Sequence, residues 1–375
     1  MTDVDDIRAQ ALEVAVGWSP PEQPQSWRLT AALFNMIAEH DELLSALAIL
    51  PPDRLPALLA SAAIAFLIRR DGPGRLAAYF PAPGGPQPQF DDGFSAAAAA
   101  FVSARLPDIV GVCAGHRYQM NEVARCTQIA LGIAAIRPRG PIGLIDLGTG
   151  AGLGLQLDRY RYVIAGTGTG PTSASVVLTC EVRSANQPPP PSLPPIAARA
   201  GIELNPVDLD DPAAGAWLRA CSPPEASALT RLDSAIGVTR RYPATIVAGD
   251  AVDELPGVLD SFPADLPVIV TDAYLAVFLA PAQRAKLVAV LSNASRTRTV
   301  TWLSLDPLVP LGPSGRDSVQ GLAVPDSVVA DYRELGVFAV LGVRTFDQAA
   351  EGGRLLARAH PSGQWVDWIG DADMC

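Results

Sequence analysis

Charge, histidine and paired cysteines are all scarce in this chain, and each shortage argues against a class of protein. Charged residues make up 18% of the 375, three are histidine, and the formal net charge is −11. A negative balance argues against a protein that tracks nucleic-acid phosphates, which carries a basic stripe, while leaving room for a small basic pocket. The five cysteines (Cys113, Cys126, Cys180, Cys221, Cys375) are odd in number and include no Cys-x-x-Cys pair. A disulfide framework and a structural zinc site are therefore disfavoured, and reduced thiols fit better. No His/Cys spacing suggests a metal. Long apolar runs are missing too. The most apolar segment, Leu55 to Ile68, contains Pro56 and Ser61 and is shorter than the ~18 residues of a membrane span. The start, Met1-Thr2-Asp3-Val4-Asp5-Asp6, is acidic and polar, unlike a signal or transit peptide. The expectation is a soluble cytoplasmic protein without nucleic-acid or membrane partners.

Core-forming material is plentiful, with 49% hydrophobic residues, and the length suits two or three domains. Residues 1–115 read as an all-helical domain. Ile7 to Val16 and Trp27 to Ala38 carry apolar residues at three- and four-residue spacing. Pro51-Pro52-Asp53 breaks the chain, and Asp53 is placed to cap a buried helix from Arg54 to Arg70. After the loop Pro81-Ala82-Pro83-Gly84-Gly85-Pro86, Phe94 to Val102 forms an alanine-rich helix.

Residues 116–375 read as an α/β domain. A helix is expected from Asn121 to Ala135, with the polar cluster Gln119, Asn121, Glu122 and Arg125 at its start. That cluster has a plain alternative as a capped helix start with a Glu122–Arg125 surface pair. Strands follow at 160–165 and 175–183, read as a hairpin inserted near 160–195, with Gly166 to Pro171 as the turn between them. The four-proline run Pro188 to Pro191 is a stiff linker. Further strands are expected at 197–204, 245–248, 266–271 and 297–303, and an antiparallel pair at 337–344 and 354–359. Helices fall between them at 213–220, 229–238 and 281–291. Strands alternating with helices predict a doubly wound, mostly parallel sheet, whose sites lie at the carboxyl ends of the strands. Asp146, Glu203, Asp250, Asp272 and Asp306 fall at such ends.

The stretch with most chemistry is Leu144-Ile145-Asp146-Leu147-Gly148-Thr149-Gly150-Ala151-Gly152-Leu153-Gly154. Alternating glycines let a backbone turn sharply and a ligand approach it closely. No Gly-Lys-Ser/Thr follows, so it is not a P-loop. A nicotinamide fingerprint needs a glycine at 153, where leucine stands.

The acid before the glycines, Asp146-x-Gly148-x-Gly150-x-Gly152, resembles class I S-adenosylmethionine-dependent methyltransferases from about His116 onward. The resemblance implies a Rossmann-like methyltransferase fold whose loop backs the amino-acid part of S-adenosylmethionine, with Asp146 beside it. It implies that Glu203, in Gly201-Ile-Glu-Leu-Asn-Pro206, holds the ribose hydroxyls and that Asp250 lies beside the adenine. Glu203 lies far beyond the roughly 20 residues that a simple unit allows after the glycines; the inserted segment accounts for the excess. Asp272 joins the cofactor set. Gln119, Asn121, Glu122 and Tyr274 are candidates for positioning cofactor or acceptor.

More narrowly, the chain resembles a bacterial family known as domain of unknown function 2332. The residues carrying this are Tyr118-Gln-Met-Asn-Glu-Val-Ala-Arg-Cys126, Gly150-Ala-Gly-Leu153 with Asp158-Arg-Tyr-Arg-Tyr162, and Gly201 to Asp208. The expected function is methyl transfer to a small molecule, covered by the helical domain and the hairpin. The rivals are a non-catalytic ligand-binding descendant and a nicotinamide-dependent oxidoreductase. Asp250 and Asp272 also read as helix caps, Asp306 before Pro307 as a turn, and Asp158, Arg159 and Arg161 as a surface ion-pair group. His40 and His360 read as structural or solvated; His116 is the one histidine beside the polar cluster. No catalytic residue is assigned.

Overall fold

The computed structural model describes residues 2–19, 25–82, 84–307, 318–326, 328, 338–347 and 351–369. Pro83, Val337 and Cys375 of the readings above fall outside them. The chain divides into two compact units, 1–122 with 209–233, and 123–208 with 234–375. The helices are α1 (Val4–Gly17), α2 (Gln25–Glu39), α3 (Asp41–Leu47), α4 (Pro56–Asp71), α5 (Gly93–Gly115), α6 (Cys126–Ile136), α7 (Pro212–Cys221), α8 (Ala226–Arg241), α9 (Ala251–Ser261) and α10 (Pro281–Ala294).

The first unit is helical. α4 is apolar all round and buried on every side, as a central helix should be: Ala57, Leu59, Ala60, Ala63, Ile64 and Leu67 have no exposed surface. Asp53 does not cap it. A short 3₁₀ turn holds Pro52–Arg54, and the helix starts at Pro56 after Leu55 in the left-handed region, so Asp53 stands too far upstream. α5 runs well past Val102, with a kink at Arg105 just before Pro107, where the proline cannot complete the helical ladder. Trp217, Ala220 and Cys221 of α7 belong to the same apolar core, although that segment reads from sequence as part of the α/β alternation.

The strands are β1 (Ile142–Leu147), β2 (Arg161–Ile164), β3 (Thr167–Thr169), β4 (Val177–Val182), β5 (Ile196–Glu203), β6 (Thr245–Ala248), β7 (Val268–Ala273), β8 (Val300–Pro307), β9 (Ser318–Val319), β10 (Leu322–Ala323), β11 (Ala339–Phe346), β12 (Glu351–Ala359) and β13 (Trp365–Trp368). β9 and β10 pair with each other; the rest form one sheet in the order β3-β2-β4-β13-β12-β11-β8-β7-β1-β5-β6. β6, β5, β1, β7 and β8 are parallel neighbours. β11 and β12 form the expected antiparallel pair, with β11 antiparallel to β8. The second unit is thus an α/β assembly with a mostly parallel central sheet, preceded by the N-terminal helices.

The inserted segment departs from the expected hairpin. β2 and β4 run parallel, Tyr162 beside Leu178, and the hairpin partner of β2 is β3. Ala165 and Gly166 both have positive φ (46° and 81°), the signature of a two-residue turn that reverses the chain at once. Thr167 therefore begins a strand where a loop is expected. β4 also pairs with β13, so the insertion lengthens the sheet.

α6 begins at Cys126 after a 3₁₀ turn at Val123–Arg125, five residues later than expected. It lies on β8, where a side chain at Gly132 would meet Leu303 Cδ1 at 2.6 Å. Ile145, Leu147, Ile202, Val270 and Trp302 share a core with α9 and α10.

Candidate functional site

Strand order reverses at β1, since β5 and β6 lie on one side of it and β7 and β8 on the other. Ligand crevices in open parallel sheets form at such reversals, outside the carboxyl ends. The glycine loop leaves β1 there, with Gly148, Gly150 and Gly152 all at positive φ (65°, 58°, 74°), which a side chain would strain. The N–H groups of Gly148 and Thr149 both donate to the Ile202 carbonyl (2.9 and 3.2 Å). Gly150 N–H donates to Glu203 Oε2 at 2.8 Å, and Asn205 N–H to Oε1 at 3.1 Å. The structure thus brings Glu203 to the loop despite their distance in sequence. A side chain at Gly201, beside Asp146 in the sheet, would collide with Thr149 Cγ2, so glycine there lets the loop lie down on β5.

Asp146 sits between two hydroxyls, Thr149 Oγ1 and Thr271 Oγ1, each donating at 2.7 Å. Burial pushes its carboxyl up to about 6; the two threonines pull it down, and Asp272 and Glu203 push it up. These acids therefore feel one another across the strand ends.

Asp272 and Asp306 are buried at the ends of β7 and β8. Trp302 Nε1–H donates to Asp272 Oδ2 at 2.7 Å, and Ala276 N–H to Oδ1 at 3.3 Å. Val277 N–H donates to Asp306 Oδ1 at 3.2 Å. The Ser304 hydroxyl lies between the two acids, 3.1 Å from Asp272 Oδ1 and 3.2 Å from Asp306 Oδ2. Burial raises Asp272, and burial with the neighbouring Asp272 carboxyl raises Asp306 well above the carboxylate range. Two close, desolvated carboxyls favour holding one proton between them. Asp306 is thus an interior strand residue, not a turn starter, and Asp272 anchors the 3₁₀ turn Ala276–Phe278 rather than a long helix.

Tyr274 has φ 68°, a conformation rare for a bulky residue, fixed by its N–H donating to Leu305 O at 2.9 Å. The Arg125 guanidinium stacks on its ring at 3.7 Å and donates to Pro361 O at 3.0 Å. The Tyr274 hydroxyl is buried without a partner among the described residues, and burial pushes it up to about 12.

Asp250 caps α9, accepting from Val252 and Asp253 N–H at 2.8 and 3.2 Å. Gln119, Asn121 and Glu122 fall in the first unit. Glu122 and Arg125 are both buried rather than on the surface, and Glu122 pairs with Arg231 at 3.2 Å. Asp158 grips Arg199 with both oxygens (2.8 and 2.9 Å) instead of Arg159 or Arg161. His116 accompanies Trp217, ring centres 4.3 Å apart. His360 is buried and pushed down to about 3 by burial and Arg183. Trp302, Ser304, Thr149 and Thr271 escaped the sequence reading. Trp302, Ser304 and Asp306 alternate along β8, and that period of two was the available signal.

The fold and this edge together define a Rossmann-like α/β protein with an acid-bordered glycine loop. Residues 21–368 match the family described as "Uncharacterized protein conserved in bacteria (DUF2332)", and the chain belongs to that family. No curated protein matches it. Among the described residues, no group of three or more His, Cys, Asp or Glu side chains is arranged to hold a metal ion. One helix among the described residues, Gly93–Gly115, is long and apolar enough to cross a membrane by length and composition.

Proposed function

We propose that this chain binds S-adenosylmethionine at the carboxyl edge of β1, β5, β6 and β7 and acts as a methyltransferase on a small molecule in the cytoplasm. The observation that carries the reading is the Gly148-Gly150-Gly152 loop, held in left-handed turns beside Asp146 and pinned by Glu203. The acids suit a ligand with a cationic sulfonium and amino group. When bound, the cofactor supplies an activated methyl group.

The chain's own residues would bind and orient. Glu203 accepts the Gly150 and Asn205 N–H groups and is proposed to accept the ribose hydroxyls as well. Asp250 and Asp272 complete the cofactor side. Tyr274 is proposed to position cofactor or acceptor. Alignment of acceptor and methyl group can lower the barrier by several kcal/mol without a dedicated catalytic side chain.

A second reading, ligand binding without turnover, draws on one observation: Asp146, Asp272 and Asp306 are all committed to the protein's own donors. Calorimetry with S-adenosylmethionine, S-adenosylhomocysteine and NAD(P) tests the proposal. Sub-millimolar binding of the adenosyl ligands is expected, and its absence overturns the cofactor assignment. NAD(P) binding in their place would favour an oxidoreductase. Glu203→Ala is expected to weaken adenosyl binding; unchanged affinity rejects its ribose role. Release of S-adenosylhomocysteine with a panel of small nucleophiles separates turnover from binding.

A further inference from the structure

In the glycine-loop units that hold dinucleotides, the loop runs straight into a helix that packs on the sheet and fixes its far end. Here the loop ending at Gly152 leads into a six-residue 3₁₀ turn, Gly154–Arg159, and then into β2. Hydrogen bonds in such a turn are poorly aligned, and these are long. Leu155 N–H meets Gly152 O and Gln156 N–H meets Leu153 O at 3.2 Å, and Tyr160 N–H meets Leu157 O at 3.4 Å. The turn nevertheless starts against the site, since a side chain at Gly154 would meet Asp146 Oδ2 at 2.9 Å. Helical bonding alone does not hold it there.

The segment Asp158 to Tyr162 supplies the missing support. Three carbonyls at alternate residues each accept a side-chain donor: Leu153 O from the Tyr160 hydroxyl at 2.7 Å, Leu155 O from Arg199 Nη1 at 2.5 Å, and Leu157 O from the Tyr162 hydroxyl at 2.5 Å. Arg199, on β5, is itself held by both oxygens of Asp158. Tyr160 and Tyr162 are buried, and burial raises both phenols well above their ordinary range, so both stay donors. Tyr160 is the member that reaches the loop, because Leu153 directly follows Gly152. Tyr162 makes the same kind of bond further along the turn.

We propose that Tyr160 is a positioning residue for the glycine loop: its hydroxyl, bound to the Leu153 carbonyl, fixes the loop's far end and keeps Gly148 to Gly152 in the shape that meets a ligand. The inserted strands that begin at β2 thereby anchor the loop, as a helix does in a simple unit. The consequence for adenosyl affinity rests on the cofactor reading; the consequence for the loop itself does not.

Hydrogen–deuterium exchange on the full chain, comparing Tyr160→Phe with Tyr162→Phe, tests it. Each variant loses one phenol-to-carbonyl bond, so a similar loss of global stability is expected from both. Tyr160→Phe alone is expected to speed exchange in the peptide from Gly148 to Leu153, by roughly 5–10-fold, the worth of one such bond. Calorimetry with S-adenosylhomocysteine is expected to show a matching loss of affinity in Tyr160→Phe and little change in Tyr162→Phe. No faster exchange in Tyr160→Phe, equal loosening of the loop by both variants, or unchanged affinity in Tyr160→Phe where the parent binds each overturns the proposal. If the parent binds no adenosyl ligand, the cofactor reading fails and the exchange comparison still decides this one. If Tyr160→Phe fails to fold, exchange in the parent chain decides: the loop peptide and β2 are expected to open together across a urea series, and a loop that opens well before β2 overturns the proposal.

Discussion

At the ends of β7 and β8, two buried carboxyls meet an indole N–H, a hydroxyl and two backbone N–H groups. In the last turn of α4, the Nε and Nη2 atoms of Arg69 are buried with no partner among the described residues. Both regions perturb ionisation by burial, yet they differ in what they lack. The strand-end pair is furnished from within, and its raised carboxyls serve the fold as it stands. The arginine nitrogens have no such partners among the described residues. A perturbed carboxyl or guanidinium therefore identifies desolvation, and the partners it keeps decide how much that burial costs.

This contrast can be broken most sharply at Trp302. Trp302→Phe removes the donor to Asp272 and leaves a buried acceptor short, at a cost of about 3 kcal/mol. Arg69→Met, which deletes those buried nitrogens, is expected to gain about 1 kcal/mol. Urea denaturation reads both, and equal signs would erase the distinction. Asp146 comes next. Its carboxyl is raised to about 6 from 3.8, so the folded state holds the proton more tightly than the unfolded chain. Its contribution to stability is best below about pH 4 and is lost as pH rises through about 6. Asp146→Asn is thus expected to stabilise by about 2 kcal/mol near pH 8 and hardly at all near pH 4, read by denaturation at both pH values. Gly201→Ala drives a methyl group into Thr149; a loss of about 1.5 kcal/mol is expected, with weaker adenosyl binding by calorimetry. The smallest effect belongs to Asp250→Ala, which removes the α9 cap at about 1 kcal/mol, checked by thermal unfolding.

Much of the parallel core was legible because each strand there is a short apolar run closed by an acid or glycine, as at Leu144 to Gly148 and Thr245 to Asp250. The inserted segment misled because alternation shows a strand without showing its partner. Two such runs joined by glycines look like a hairpin, while Ala165 and Gly166 had already turned the chain. The Gly150–Glu203 bond and the Trp302–Asp272 bond join residues far apart in sequence, and local pattern carries no trace of such pairs. Arg69 was invisible for a related reason: an arginine near the end of a helix reads as a surface residue, and only packing shows its nitrogens buried.

The division of the chain bears on any attempt to take the protein apart. A fragment ending at Glu122 would leave behind 209–233, and with it Trp217, Ala220 and Cys221 from the apolar core. It would lose Glu225, whose carboxyl accepts from the Trp27 indole at 3.0 Å, and Arg231, the partner of buried Glu122. Such a fragment would expose apolar surface and strand a carboxylate, so aggregation rather than an isolated folded domain is the expected product. The helical unit has to be expressed with the rest of the chain, and mutational work on either half is best done in the whole protein.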